Sequence, residues 1–214
     1  MTRIEKQYKE IEKVFPKLKL VKGNSFFSIQ GTIEIIDKER TFWDSFDVDI
    51  KLKNFPSSFP QLFETSNKIP KVADRHIYTD TGACCVCGYP QMILATKRSN
   101  FTIKHYIDEY VIPCFANQIY FEKTGKWKNG EYSHGDKGIV EAYLDLLKLN
   151  NEKELLVIIQ DYLLKKYNIV GRNDKCICGS NRKYKKCCAD RIQILNTIGE
   201  NEVAKLKENL NDKK

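Results

Sequence analysis

No apolar run in these 214 residues approaches the roughly 20 that a membrane-spanning helix needs, and the opening MTRIEKQYKE lacks the apolar stretch of a secretion signal. The expectation is a soluble, cytoplasmic protein with no membrane partner. There is no glycine-rich phosphate loop and no nucleotide-binding βαβ unit, which excludes an ATP-driven activating domain within these residues. There is also no internal repeat. Wholesale disorder is excluded by what is present: 11 Phe, 11 Tyr and 2 Trp within a 42% hydrophobic composition can supply a packed core. The length suits one domain of ordinary size plus a small appendage. Cysteine is the residue in excess, with eight. In a cytoplasmic chain such clusters signal metal or catalysis rather than disulfides.

Thr2 and Glu5 have capping-box spacing, and Ile4, Tyr8, Ile11 and Phe15 recur every three to four residues up to Pro16, which predicts an opening amphipathic helix. From Phe27 the period changes to two. Phe27, Ile29, Gly31, Ile33 and Ile35 form one strand; Phe46, Val48, Ile50 and Leu52 form a second, antiparallel to it across the charged turn 37–40. Gln61–Glu64 offers a further short strand after the proline-bracketed turn 55–60. Residues 65–100 hold no long periodic run and read as extended irregular structure, the kind of long loop that often carries function. A helix from Ile103 to Phe115, bent at Pro113, follows, then a loop over 125–138 and helices over 139–149 and 154–167. Residues 191–214 read as a weak helix fading into the polar tail 209–214.

The net charge is +8, of which +5 falls in residues 151–214. This mildly basic balance permits an acidic or nucleic-acid partner. Cys176, Cys178, Cys187 and Cys188 lie within 13 residues of one another, and the turn Gly179-Ser180-Asn181 lets the segment fold back so that four thiolates close a tetrahedral shell around zinc. Lys175, Arg182, Lys183, Lys185 and Lys186 would offset the charge of that centre. The segment Gly171–Cys188 resembles the SEC-C motif, the zinc-binding tail named from the SecA translocase. That resemblance implies a structural site, with all four cysteines as ligands, presenting a basic surface to a partner. A closed four-ligand site leaves no position for substrate.

The central stretch from His76 to Cys87 admits three readings: a second zinc site using His76 with Cys84, Cys85 and Cys87; ordinary packing of small thiols; or a nucleophilic cysteine on an exposed loop. The order of elements bears on the choice. A leading helix, an antiparallel meander, the turn Phe55-Pro56-Ser57-Ser58-Phe59-Pro60, an extended stretch with His76 and then Gly82-Ala83-Cys84-Cys85, and closing helices together resemble the ubiquitin-conjugating (UBC) family over roughly residues 1–150. The resemblance implies an α+β UBC-like fold and makes Cys85 the thioester-forming cysteine. Two departures stand out: Ile77 and Tyr78 replace the family's proline and asparagine after the histidine, and the spacing from His76 to Cys85 is one residue shorter. The oxyanion role of the asparagine is thereby unassigned.

The stretch from Phe115 to Gly135 is similar to bacterial UBC-like proteins, including those of CBASS antiphage operons. In those, a conjugating enzyme links the C-terminus of a CD-NTase cyclic-oligonucleotide synthase to a target. The resemblance thus implies a transferase with that synthase as donor and an unidentified acceptor protein, attacked through an amine. His76 and His134 are the titratable candidates beside Cys85, each with a structural reading in which the ring holds a loop by hydrogen bonding. Cys84 and Cys87 are redox or structural neighbours of Cys85, Cys87 being the better disulfide partner because a vicinal bond would be strained. Cys114 reads as core. The rival class is a non-catalytic UBC-fold adaptor that holds a protein or nucleic acid through its basic zinc tail. The expected organisation is a conjugating domain over 1–150, a connecting helix over 151–170, the SEC-C motif over 171–190 and a terminal helix and tail over 191–214.

Overall fold

The computed structural model describes residues 1–128 and 130–211, so the last three residues of the expected polar tail, 212–214, lie outside the described residues. The chain forms two compact units, one of residues 1–87 and 95–131 and the other of residues 88–94 and 132–214.

The first unit is α+β. Helix α1 (Arg3–Glu12) begins at the Thr2–Glu5 capping box, with both reciprocal bonds made, and buries Gln7 and Ile11. Strands β1 (Leu18–Lys22), β2 (Phe27–Ile36), β3 (Phe42–Lys51) and β4 (Gln61–Glu64) form one antiparallel sheet in sequence order. Register places Ile29 opposite Ile50 and Ile50 opposite Leu62, a cross-strand row that is completely buried. Strand β1 is the element that periodicity did not reveal, because five residues in which Leu20 and Val21 stand side by side between Lys19 and Lys22 offer no clean alternation. Its pairing needs Gly31: a Cβ there would lie 2.1 Å from the Lys17 carbonyl oxygen.

After α2 (Tyr89–Lys97) and a five-residue turn, one continuous helical segment closes this unit: α3 (Ile103–Tyr106), a π-helical turn (Ile107–Val111) and α4 (Ile112–Thr124). The π turn lies just before Pro113, which lacks an N–H and whose ring crowds the carbonyl one turn back, so the bend expected at this proline takes the form of a widened turn. Gln7 of α1 accepts from the Ile103 amide at 3.0 Å. Phe59, in the proline turn, packs its ring on Phe101, Tyr106 and Tyr110. Residues 65–100 are less irregular than expected, holding a short 3₁₀ turn (Ala73–Arg75) and α2. Pro90 is the second residue of α2, and proline is tolerated in a helix's first turn. Tyr89–Leu94 of α2 belong to the second unit and the rest of it to the first.

The second unit is helical, with α5 (Gly135–Leu147), α6 (Glu152–Leu163), α7 (Ala189–Ile198) and α8 (Glu200–Asn211) around its own core. The single weak helix expected over 191–214 is instead two helices broken at Gly199, and Val203, Leu206 and Leu210 of α8 are buried. Their spacing of three and four residues was present in the sequence but masked by the charged residues between them. Among the described residues no helix is long and apolar enough to cross a membrane.

Candidate functional site

Cys85 stands at the end of a small hairpin. Ile77 and Cys84 bridge as antiparallel partners, the Tyr78 amide donates to the Ala83 carbonyl at 2.8 Å, and the Cys85 amide donates to the His76 carbonyl at 2.7 Å. Gly82 closes the turn with φ +75°, a left-handed conformation that costs glycine nothing. The Cys84 amide donates to the Leu62 carbonyl, tying the hairpin to β4. Cys84 is buried while Cys85 is half-buried, so of the adjacent pair Cys85 is the more accessible residue. That sulfur lies 3.5 Å from the Tyr78 hydroxyl and 3.8 Å from the Cys87 carbonyl oxygen. Burial pushes the Cys85 thiol above its ordinary range, and the hydrogen bond from Tyr78 acts in the opposite direction.

The neighbouring thiols have separate surroundings. The Cys84 sulfur is hydrogen-bonded with Cys114 of α4, and this bond together with burial holds the Cys114 proton firmly in place. Burial raises Cys87 as well, followed by the proximity of Cys85. The buried Tyr106 hydroxyl, next to these thiols, has no hydrogen-bond partner. Among the described residues the central cysteines and His76 are not gathered as metal ligands; the group of cysteine, histidine and acidic side chains that is so gathered lies in the second unit.

His76 adopts a left-handed backbone (φ 52°) as the cap of the 3₁₀ turn, and its ring centroid lies 4.4 Å from that of Trp127. The preceding Arg75 is buried. Its Nε and Nη2 donate to Gln118 Oε1 at 3.0 and 2.8 Å, the Gln118 amide donates back to the Arg75 carbonyl at 2.8 Å, and the guanidinium stacks 4.8 Å from Phe121 and pairs with Glu122. Sequence reasoning missed Arg75, Gln118 and Trp127, since nothing local marks a polar residue as destined for burial. His134 lies exposed at the N-cap of α5 in the second unit.

In the second unit the segment 172–188 folds back as its glycine-containing turn required. The Cys176 amide donates to the Arg182 carbonyl at 2.8 Å, Lys175 bridges Lys183, and Gly179 and Asn181 take left-handed conformations. Sγ atoms of Cys176, Cys178, Cys187 and Cys188 all lie within 4.8 Å of one another, with 3.4 Å from Cys178 to Cys187 and 3.8 Å from Cys187 to Cys188. A tetrahedral shell with bonds of about 2.3 Å has sulfur–sulfur edges of about 3.8 Å, so the four residues fit a single metal ion. Ser180 Oγ at 3.1 Å and Arg182 Nη2 at 3.6 Å from the Cys187 sulfur supply outer contacts. Cys176 and Cys188 are part of the buried core, which makes this metal-binding motif integral to the helical unit.

Residues 172–190 match the SEC-C motif, a metal-binding motif. The chain is 64% identical over 25 residues to the protein translocase subunit SecA of Desulforamulus reducens, a match covering 12% of the chain and 3% of that protein. It is 26% identical over 137 residues to a UPF0182 protein of Geotalea uraniireducens, covering 64% of the chain. The matched region spans only 12% of the latter protein's length. No solved structure matches the chain.

Proposed function

We propose that the first unit is a UBC-like acyl transferase in which Cys85 forms a thioester with the C-terminus of a partner protein and passes that acyl group to an amine on a target. The observation that carries this reading is Cys85, half-buried at the end of a backbone-locked hairpin, with a hydroxyl donor 3.5 Å from its sulfur, while its neighbour Cys84 is buried. The succession of α1, a four-stranded antiparallel meander, the proline turn, the cysteine hairpin and closing helices supports it. By the resemblance stated above, the donor is a CD-NTase-type synthase in bacterial antiphage defence, and both the nucleophile and the cysteine cluster suit the reducing cytoplasm.

The chemistry needs no metal at Cys85. The thiolate attacks the carbonyl carbon of an acyl donor presented as a thioester by an activating protein; the new C–S bond forms and the donor thiolate leaves with its electron pair. An amine then attacks the Cys85 thioester, C–N forms, C–S breaks, the Cys85 thiolate departs and the ammonium proton goes to water. Zinc is the ion we assign to Cys176, Cys178, Cys187 and Cys188, where it would brace the helical unit and its basic surface for docking.

One observation favours the adaptor reading. Burial raises the Cys85 thiol, which lowers its thiolate fraction at neutral pH. The two readings separate when the full chain is mixed with a synthase encoded beside it, with activating components present, and run on a non-reducing gel. The enzyme reading expects a thiol-sensitive adduct that Cys85→Ala abolishes; an adduct formed equally by Cys85→Ala overturns it.

A further inference from the structure

We propose that Tyr78 is a catalytic hydrogen-bond donor of the Cys85 site, its hydroxyl steadying the thiolate before acyl transfer and the oxyanion during it.

A tyrosine near a hairpin turn ordinarily leaves its hydroxyl in water. Tyr78 is 47% exposed, yet its Oη sits 3.5 Å from the Cys85 sulfur. The contact follows from the hairpin's construction: Tyr78 N to Ala83 O, Gly82 N to Tyr78 O and Cys85 N to His76 O set the two strands in a register that brings the ring beside the sulfur. The Cys85 amide is committed to His76 by the last of these bonds and the Cys84 amide to Leu62 by another, so neither of these two amides can serve as an oxyanion donor. A side-chain donor already in contact with the reacting atom fills that need. A phenol suits the task, since donation to a sulfur anion or a carbonyl oxyanion costs it no proton: burial and the bond to Cys85 hold the Tyr78 proton well above the ordinary phenol range. As the acyl group arrives, the new oxyanion is two bonds from the sulfur, within reach of a small rotation of the Tyr78 ring.

The oxyanion role rests on the reading of Cys85 as an acyl-thioester nucleophile, whereas the bond to the thiolate does not. Two measurements on the full chain separate them. In the first, iodoacetamide alkylation of Cys85 is followed by mass spectrometry as a function of pH. Tyr78→Phe removes only the hydroxyl of an exposed ring, so the melting temperature should hold, and the alkylation midpoint should rise by about one pH unit. In the second, a peptide thioester is the acyl donor and free lysine the acceptor; Tyr78→Phe should lower kcat about 100-fold, as expected for loss of one oxyanion donor, with little change in KM. An unshifted midpoint together with an unchanged kcat overturns the proposal while leaving Cys85 as a nucleophile. If wild type forms no thioester but the midpoint shift persists, the acyl-transfer reading and the oxyanion role fall, and the thiolate contact stands.

Discussion

Gln118 grips Arg75 from both sides, its carbonyl oxygen accepting from the guanidinium at 2.8 and 3.0 Å while its amide donates to the Arg75 carbonyl at 2.8 Å. The two residues are 43 positions apart and both buried. Because His76 follows Arg75 and the His76 carbonyl receives the Cys85 amide, this pairing of the 3₁₀ turn with α4 anchors the hairpin that carries Cys85.

Gln118→Ala therefore removes the shared acceptor of Arg75 Nε and Nη2, leaving the guanidinium only Glu122, and takes the donor from the Arg75 carbonyl. The expected cost is about 3 kcal/mol in urea unfolding. On the proposed function, acyl transfer by Cys85 should fall with it, whereas Gln118→Glu, which keeps the acceptor for Arg75, should retain more of both.

Limited alkylation of the native chain should label Cys85 about tenfold or more faster than Cys84, because thiol access differs although the residues are adjacent. Peptide mapping after timed quenching reads the order directly. Faster labelling of Cys84 would remove the basis for choosing Cys85.

Alkali should weaken the first unit. Cys85 and Cys87 have folded-state values raised chiefly by burial, so above pH about 8.5 the unfolded chain releases protons that the fold retains, and buried Tyr106 adds to this above about pH 10. Stability is fully present below that pH and is lost as pH rises, by about 1.4 kcal/mol per pH unit for each retained proton. Trp43 and Trp127, the chain's two tryptophans, both lie in the first unit, so their fluorescence in urea titrations at pH 8 and pH 10 reads this unit alone.

Metal analysis of the purified chain should find one zinc per molecule, with sulfur neighbours at about 2.3 Å by X-ray absorption. Cys188→Ser should lose it. Since Cys176 and Cys188 are core residues, chelation should also abolish cooperative unfolding of the helical unit. Retained cooperativity without metal would show that the thiols merely pack.

Leu206→Ala should destabilise the second unit by about 3 kcal/mol, as a buried leucine requires. Circular dichroism during thermal unfolding measures it. A frayed terminal helix would show almost no change.

Features whose causes lie within a few residues were legible in the sequence alone. The Thr2–Glu5 capping box, the period-two runs of β2 and β3, and the back-folding Cys176–Cys188 segment each depend on neighbours one turn or one hairpin away. The four metal-site cysteines were readable for the same reason: spacing and a glycine turn suffice to converge them. Tertiary structure decided the remainder. That Cys84 meets Cys114, that Gln118 meets Arg75, and that α8 is a core helix are consequences of chain closure, which sets burial and so gives a polar or thiol side chain its partner. Tyr78 lies between these cases. Its place after His76 was plain, but only the hairpin register, set by three backbone hydrogen bonds and the Ile77–Cys84 bridge, brings its hydroxyl to the Cys85 sulfur.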